Sequence, residues 1–119
     1  MSPIDMTSGT NEHALKKGTA ELLVLAQLED EARHGYDIAL RIEQRSNGAV
    51  AFNVASLYPI LYRLEAEGKI SGRWVERAGE RRRRFYRLTP AGRQKLVQQR
   101  RAWSVFMSAV QRAAGIEYA

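Results

Sequence analysis

Arginines crowd one short stretch of this 119-residue chain. Between residues 73 and 87 there are seven arginines and two glutamates, so this stretch holds five of the chain's six net positive charges. Guanidinium groups in a row repel one another and bind phosphate oxygens well. The concentration of charge therefore favours a surface that binds the phosphates of a nucleic-acid duplex. The four consecutive candidates for phosphate contact are Arg81, Arg82, Arg83 and Arg84.

Other kinds of chemistry lack the residues that they require. The chain has no cysteine and only two histidines, His13 and His34, too few for a metal site built from these ligands. It has no glycine-rich phosphate loop, no HExxH segment and no serine, histidine and aspartate order typical of hydrolases. The carboxylates of Glu65 and Glu67 fit the charged surface of a helix. We predict a protein that is not an enzyme and that has no metal or cofactor.

Length and hydropathy predict one modest domain. A chain of this size, 45% hydrophobic, can bury about two thirds of its extended surface. The longest apolar run, residues 22–26, is much shorter than the ~20 residues of a membrane span. The first twenty residues lack the apolar core of a signal peptide. We therefore expect a cytoplasmic protein with no membrane partner.

The segment before the arginines reads as an amphipathic helix over residues 54–67, capped by Asn53 and ended by Gly68. At 100° per residue one arc is apolar and predicts core: Leu57, Ile60, Leu61 and Leu64. A helix of this kind fits a DNA major groove, ~12 Å wide. For the tyrosines the alternative is that their rings pack along the edge of the core. The candidate DNA contacts of this segment are Asn53, Ser56, Tyr58, Pro59, Tyr62 and Arg63.

Alternating residues predict two strands, Ile70–Glu76 and Arg83–Leu88, joined near Gly79. We call residues 71–88 the wing. This pairing would set Trp74 opposite Tyr86 or Leu88. The structural alternative to a DNA-binding wing is a helical domain with a solvated arginine-rich loop.

Two helices are predicted before the amphipathic helix of residues 54–67. The first is capped by Thr19, after a separate short turn over residues 12–17, and ends near Ala32; the second runs from Tyr36 to Arg45. Tyr36 is either core or a phosphate contact at the start of its helix. Residues 1–11 and 116–119 read as tails, residues 12–88 as the DNA-binding part and residues 89–115 as a dimerisation helix.

The last helix is predicted to start at Thr89-Pro90 and end at Gly115. Its apolar residues recur every seven positions with others between, and one subunit cannot easily cover them. We expect a second copy to do so, through Leu96, Trp103, Phe106 and Val110. Trp103 is either interface core or, with Met107, a contact for a planar aromatic effector held between two subunits.

These elements together predict a mainly α fold with a two-stranded β wing, that is, a winged helix-turn-helix followed by a long C-terminal dimerisation helix. Four stretches of sequence resemble the PadR family of transcriptional regulators over about residues 15–115. They are GTAELLVLAQL from Gly18, HGYDI from His34, SLYPILYRLEAEGKI from Ser56 and RRRFYRLTPAG from Arg82.

The resemblance implies a homodimer, generally a repressor, that binds double-stranded DNA at a pseudo-palindromic operator. It places Ser56, Tyr58 and Arg63 on the recognition helix, Arg82 to Arg84 in the wing and Tyr36 at a phosphate. Trp103 also matches the position of a tryptophan that stacks on planar drugs in a multidrug-sensing member. Two other functions stay open: a ligand- or protein-binding module that kept the fold, and a non-specific nucleic-acid binder.

Overall fold

The elements of this chain follow the order expected of a winged helix. The computed structural model describes residues 4–5 and 13–117, with backbone only for residues 4–5 and 13–17. The helices are α1 (His13–Gln27), α2 (Gly35–Arg45), α3 (Val54–Ala66) and α4 (Pro90–Ala114). The strands are β1 (Ile4–Asp5), β2 (Arg33–His34), β3 (Val50–Ala51), β4 (Ile70–Val75) and β5 (Arg83–Leu88).

The core lies where α1, α2 and α3 meet. The predicted apolar arc of α3 is confirmed, because Leu57, Leu61 and Leu64 are fully buried and Ile60 packs against them. The sheet and α4 complete the core. The sheet contributes Ile70, Tyr86 and Leu88, and α4 contributes Leu96.

The first helix differs from its prediction at both ends. It is continuous from His13 to Gln27, so Thr19 does not cap it, and it stops before Ala32. The helix continues through Gly18 and Thr19 because Ala20 and Val24 are buried on one face. That face requires helical geometry from the residues just before Ala20. The helix ends where Arg33 Nε donates to the carbonyl of Gln27 at 2.8 Å, which satisfies a terminal acceptor.

The predicted caps of α3 and α4 are confirmed. Asn53 Oδ1 accepts from the backbone N–H of Ala55 at 2.9 Å, and Thr89 Oγ1 accepts from that of Gly92 at 3.1 Å. Both are N-cap bonds that satisfy otherwise unpaired donors. Gly68 follows α3 with φ +75° and Gly115 follows α4 with φ +71°, the left-handed conformation that glycine adopts without strain.

The wing hairpin is confirmed, but its register and strand number differ from the prediction. Trp74 pairs with Arg84, and Tyr86 lies opposite Gly72. The base of the hairpin sets this register, because Ile70 and Leu88 are paired and both enter the core. The short strand β2 pairs with β5 on its other side and makes a three-stranded sheet of order β2-β5-β4.

Part of the predicted N-terminal tail is paired with the body of the protein. Ile4–Asp5 form a parallel pair with Val50–Ala51, which the prediction of a frayed tail did not anticipate. The rest of the tail, and residues 118–119 at the other end, lie outside the described residues. Within the described part of the chain, no helix is long and apolar enough to cross a membrane.

Helix α4 packs along α1, and this corrects one residue of the predicted dimer interface. Leu96 is 1% exposed within the single chain and belongs to its core, because α1 covers the first half of α4. Arg100 of α4 donates hydrogen bonds of 2.7 and 2.9 Å to the carboxylate of Glu29, two residues after the end of α1. Trp103 and Val110 are only half-buried and Phe106 is 46% exposed, so the uncovered seam begins after Leu96.

The start of α4 passes so close to the end of α3 that only glycine fits at position 92. A Cβ there would lie 2.0 Å from the carbonyl oxygen of Lys69. We expect Gly92→Ala to lower the free energy of unfolding by about 1 to 3 kcal/mol, measured by denaturant unfolding, because backbone must move. The matched control is Gly18→Ala in α1, where a Cβ meets nothing within 4 Å. That variant should be as stable as the parent or gain up to ~1 kcal/mol. Equal effects at the two sites would contradict the close approach.

Candidate nucleic-acid interface

A cleft of about 750 Å³ separates the outer side of α3 from the wing. Its walls combine aromatic rings with guanidinium groups, and we call it the α3–wing cleft. Aromatic and cationic side chains together suit contact with nucleic-acid bases and phosphates. The residues that line it are His34, Gly35, Tyr36, Val54, Tyr58, Tyr62, Glu65, Trp74, Arg81, Arg82, Arg83, Arg84 and Tyr86.

Three tyrosines present their rings to this cleft. The rings of Tyr58 and Tyr62 stack at 6.1 Å between centroids, and the residues are 40% and 58% exposed. Tyr36, in the first turn of α2, is 60% exposed. This exposure argues against the alternative that these rings are core. The helical spacing of Tyr58 and Tyr62, i and i+4, is what brings their rings together.

The remaining outer residues of α3 differ in exposure and in hydrogen bonding. Pro59 is exposed and Ser56 is half-buried. Asn53 is exposed as well, but its Oδ1 is engaged as the N-cap of α3, which leaves the side-chain NH₂ for a partner.

Arg63 points away from the cleft, which corrects its prediction as a base-reading residue. Its Nη2 lies 3.1 Å from Oε2 of Glu21 on α1, and its Nε lies 3.9 Å from Glu67. Glu21 is buried and also accepts from Gln99 Nε2 of α4 at 3.2 Å. A charge in such a site needs a counter-ion. Arg63 therefore holds α3 against α1 and α4.

The four consecutive wing arginines do not have equivalent surroundings. Arg81, Arg82 and Arg83 are exposed, whereas Arg84 is half-buried. Arg82 lies over the ring of Trp74, 4.5 Å from its centroid, in cation–π geometry. The indole plane thus holds the guanidinium of Arg82 at the edge of the cleft, beside the exposed side chains of Arg81 and Arg83.

Arg84 is a brace between the wing and α3. Its Nη2 donates to Oε2 of Glu65 at 2.5 Å, and the backbone N–H of Gly72 donates to the same oxygen at 3.3 Å. Glu65 was expected to be ordinary helix-surface charge and instead joins both strands of the wing to α3. Because Arg81 to Arg84 are four consecutive identical residues, the sequence does not distinguish Arg84 from its exposed neighbours.

Arg33 is a buried arginine that the sequence did not reveal. Arg33 is 6% exposed; besides Gln27 it contacts Asp37 at 3.0 Å, and Asp30 and Glu31 within 3.2 Å. This network fixes the turn between α1 and α2. The only signal in the sequence is the acidic run of residues 29–31 before Arg33, with Asp37 one helical turn after it.

His34 lies at the end of the turn between α1 and α2. Its Nδ1 accepts from the backbone N–H of Asp37 at 3.2 Å and caps α2. Burial and the neighbouring charge of Arg83 lower the pKa of its imidazole. The ring is therefore mostly neutral at pH 7. Among the described residues, no cluster of side chains could hold a metal ion.

A separate cavity of about 300 Å³ lies between α1 and α4. It is mostly apolar and includes the rings of Trp103 and Phe106, whose centroids are 5.7 Å apart. Met107, the other predicted effector contact, is half-buried and does not line it. One polar atom at this site is notable, because Oε1 of Gln99 is buried and accepts no hydrogen bond.

With this geometry in view, comparison with known proteins identifies the family. Residues 24–98 match the model of the family described as "Transcriptional regulator PadR-like family". The chain belongs to the PadR-like family of transcriptional regulators. The transcriptional regulator Rv3488 of Mycobacterium tuberculosis is 36% identical over 87 residues, which make up 73% of this chain and 78% of that protein.

Solved structures of PadR-like and related regulators have the same fold. A transcriptional regulator from Clostridium thermocellum superposes with a TM-score of 0.74 at 24% identity, covering 87% of this chain and 97% of that one. Bacillus subtilis PadR, solved in complex with operator DNA, gives 0.62 at 25% identity over 67% of this chain and 45% of that one. The predicted winged helix-turn-helix and the absence of enzyme activity are thereby confirmed as properties of the family.

The corrected position of Arg63 can be tested by stability. Arg63→Ala leaves buried Glu21 without its cation, so we expect the free energy of unfolding to fall by about 1 to 3 kcal/mol. Arg101→Ala, which removes an exposed arginine from α4, should change it by less than about 0.5 kcal/mol. A stable Arg63→Ala protein that lost discrimination between DNA sequences would restore the base-reading role.

Proposed function

We propose that this chain is a homodimeric, sequence-specific repressor of transcription that binds a pseudo-palindromic operator in the cytoplasm. The observation that carries the proposal is the α3–wing cleft. It puts the exposed outer side of α3 and three exposed arginines on one surface of the domain. An α-helix of this kind fits the major groove, and the adjacent arginines fit the flanking phosphates.

The proposed roles divide the surface into two kinds of contact. Ser56, Tyr58, Pro59 and Tyr62 on α3, with the free amide of Asn53, are the candidates for contact with bases and the adjoining backbone. Tyr36 and the exposed wing arginines, Arg81 to Arg83, are the candidates for phosphates. Phosphate contacts add affinity to every sequence alike, whereas contacts to base edges make the difference between sequences.

The dimer is proposed from the second half of α4. Beyond Leu96 this helix carries Trp103 and Val110 half-buried and Val105 and Phe106 exposed, at 66% and 46%. Apolar side chains at this spacing along a helix are stabilised when a second helix covers them. A two-fold axis through this contact would present two copies of α3 to one face of a duplex.

The expected operator follows from that symmetry. Two recognition helices in successive major grooves lie roughly 34 Å apart, so the bound site should be an inverted repeat with half-site centres about one helical turn apart. Selection of bound fragments from genomic DNA, followed by a footprint, tests this. Sedimentation of the same protein at micromolar concentration should give a dimer.

Each alternative function has its own result in that experiment. Smooth protection of any duplex would indicate a non-specific nucleic-acid binder, and no protection at physiological salt would indicate a ligand- or protein-binding module. A well-folded monomer protecting a single unrepeated half-site would refute the homodimer but leave the DNA-binding role standing.

A planar aromatic effector is proposed for the cavity beside Trp103. A flat ring would gain stacking and apolar burial there, and a hydrogen-bond donor on it would satisfy Oε1 of Gln99. Binding would release DNA only if the ligand prefers one spacing of the two subunits over another.

Titration with a panel of planar aromatic compounds tests the effector. In a Trp74→Phe background, which isolates Trp103, we expect quenching of the emission and weaker operator binding over the same concentration range. The matched control is Trp103→Phe with Trp74 kept, which should fold like the parent and leave an emission that the compounds do not quench. Quenching without any change in operator affinity would make Trp103 an interface residue and not a sensor.

A further inference from the structure

His34 faces two hydrogen-bond donors with one acceptor. Its Nδ1 lies 3.2 Å from the backbone N–H of Asp37, while Nη1 of Arg83 lies beside the ring, 3.0 Å from Nε2 and 3.5 Å from Nδ1. A neutral imidazole has one acceptor nitrogen, and its other nitrogen carries a proton. Both contacts therefore cannot be hydrogen bonds at the same time, and one donor is left over.

The backbone decides which contact is the hydrogen bond. The N–H of Asp37 is fixed in the first turn of α2, where a helix has unpaired donors, and Nδ1 caps it. Arg83 is exposed and its side chain can turn. Nε2 therefore carries the proton, and that N–H and the guanidinium of Arg83 both point into the space between α2 and the wing.

The ring is held in this orientation from two sides. Phe85, its partner across the β2–β5 pair, meets it edge-on at 5.2 Å between centroids, and the ring of Tyr36 stacks beside it at 6.5 Å. These contacts leave the imidazole little freedom to turn Nε2 elsewhere. The side chain is thus preorganised as a neutral donor.

The space that the two donors share is a cavity of about 460 Å³ with basic walls. Arg77 and Arg81 also line it, and Glu80 is the acidic residue that does so. Burial is the largest cause that lowers the pKa of the His34 imidazole. The charges of Arg83 and Arg77 lower this pKa further, whereas the charge of Asp37 raises it. A site with several convergent donors and an excess of positive charge suits an oxyanion.

The geometry points to a phosphate site in which Nε2–H of His34 and the guanidinium of Arg83 donate to the same oxygen of a phosphodiester in the bound duplex. This inference rests on the proposed function and adds a positioning residue to it. Because Nη1 lies 3.0 Å from Nε2 and beside the axis of its N–H, one oxygen on that axis can accept from both donors. A free phosphate ion has the same chemistry and is the competing occupant.

The variant that separates the two tasks of His34 is His34→Asn. The Oδ1 of asparagine can still cap α2, since asparagine is among the best N-cap residues, but its amide does not reach the position of Nε2. We expect the melting temperature to stay within a few degrees of the parent. Affinity should fall about tenfold per chain, on the operator and on random duplex alike, because a hydrogen bond to a charged oxygen is lost.

Two further arms test whether the oxygen is shared. The double variant His34→Asn/Arg83→Ala should lose less affinity than the two single losses combined, because both residues act on one phosphate. Arg83→Ala should also reduce the slope of log affinity against log salt by about 0.9 per chain, whereas His34→Asn, which removes no charge, should leave the slope unchanged. Arg101→Ala on α4 is the matched charge control and should alter neither.

The occupant is resolved by following the ¹⁵N resonances of the His34 ring while titrating the parent protein with random duplex or with inorganic phosphate. A shift with duplex at micromolar concentration, not reproduced by millimolar inorganic phosphate, supports the duplex phosphate. A parent protein that binds no duplex would overturn both this inference and the proposed function. If the parent binds duplex and folded His34→Asn binds it equally well, or if inorganic phosphate alone shifts the ring, only the phosphate assignment fails.

Discussion

The carboxylate of Glu65 fixes the geometry on which the proposed DNA-binding surface depends. It accepts from Arg84 on β5 and from the backbone of Gly72 on β4, so one side chain of α3 holds both strands of the wing. Arg84 and Glu65 are both about 30% exposed, and a single pair at this exposure adds little stability. Its effect is geometric, because it sets the width of the α3–wing cleft and the side to which the neighbouring arginines point.

A second carboxylate, Glu21, does the same for the other side of the molecule. It is buried and is shared by Arg63 of α3 and Gln99 of α4. A buried acceptor shared in this way links the recognition helix to the helix proposed to form the dimer. Any change in the angle of α4 would therefore reach α3 through a contact that is costly to break, which is the kind of coupling a ligand-responsive regulator requires.

The basic residues of the wing thus fall into two groups. Arg84 is occupied with Glu65, whereas Arg81, Arg82 and Arg83 remain exposed beside three tyrosines and Trp74. The ring of Trp74 holds the guanidinium of Arg82 in place with little conformational freedom. Preorganised donors lose less entropy when a phosphate arrives, so a short wing can contribute much of the affinity.

The sequence by itself determined the last three helices, the wing hairpin and their order, but not the short strands β1, β2 and β3. Helix periodicity, the caps at Asn53 and Thr89 and the glycines at 68 and 115 are local signals, and local hydrogen bonding decides them. Only the tertiary structure decided the partners of charged and apolar side chains. Arg63, Arg84 and Leu96 look no different in sequence from residues that face solvent or a second subunit. Their partners, Glu21, Glu65 and α1, lie far away in the chain. Periodicity shows which residues share a face, but packing of distant elements decides what covers that face.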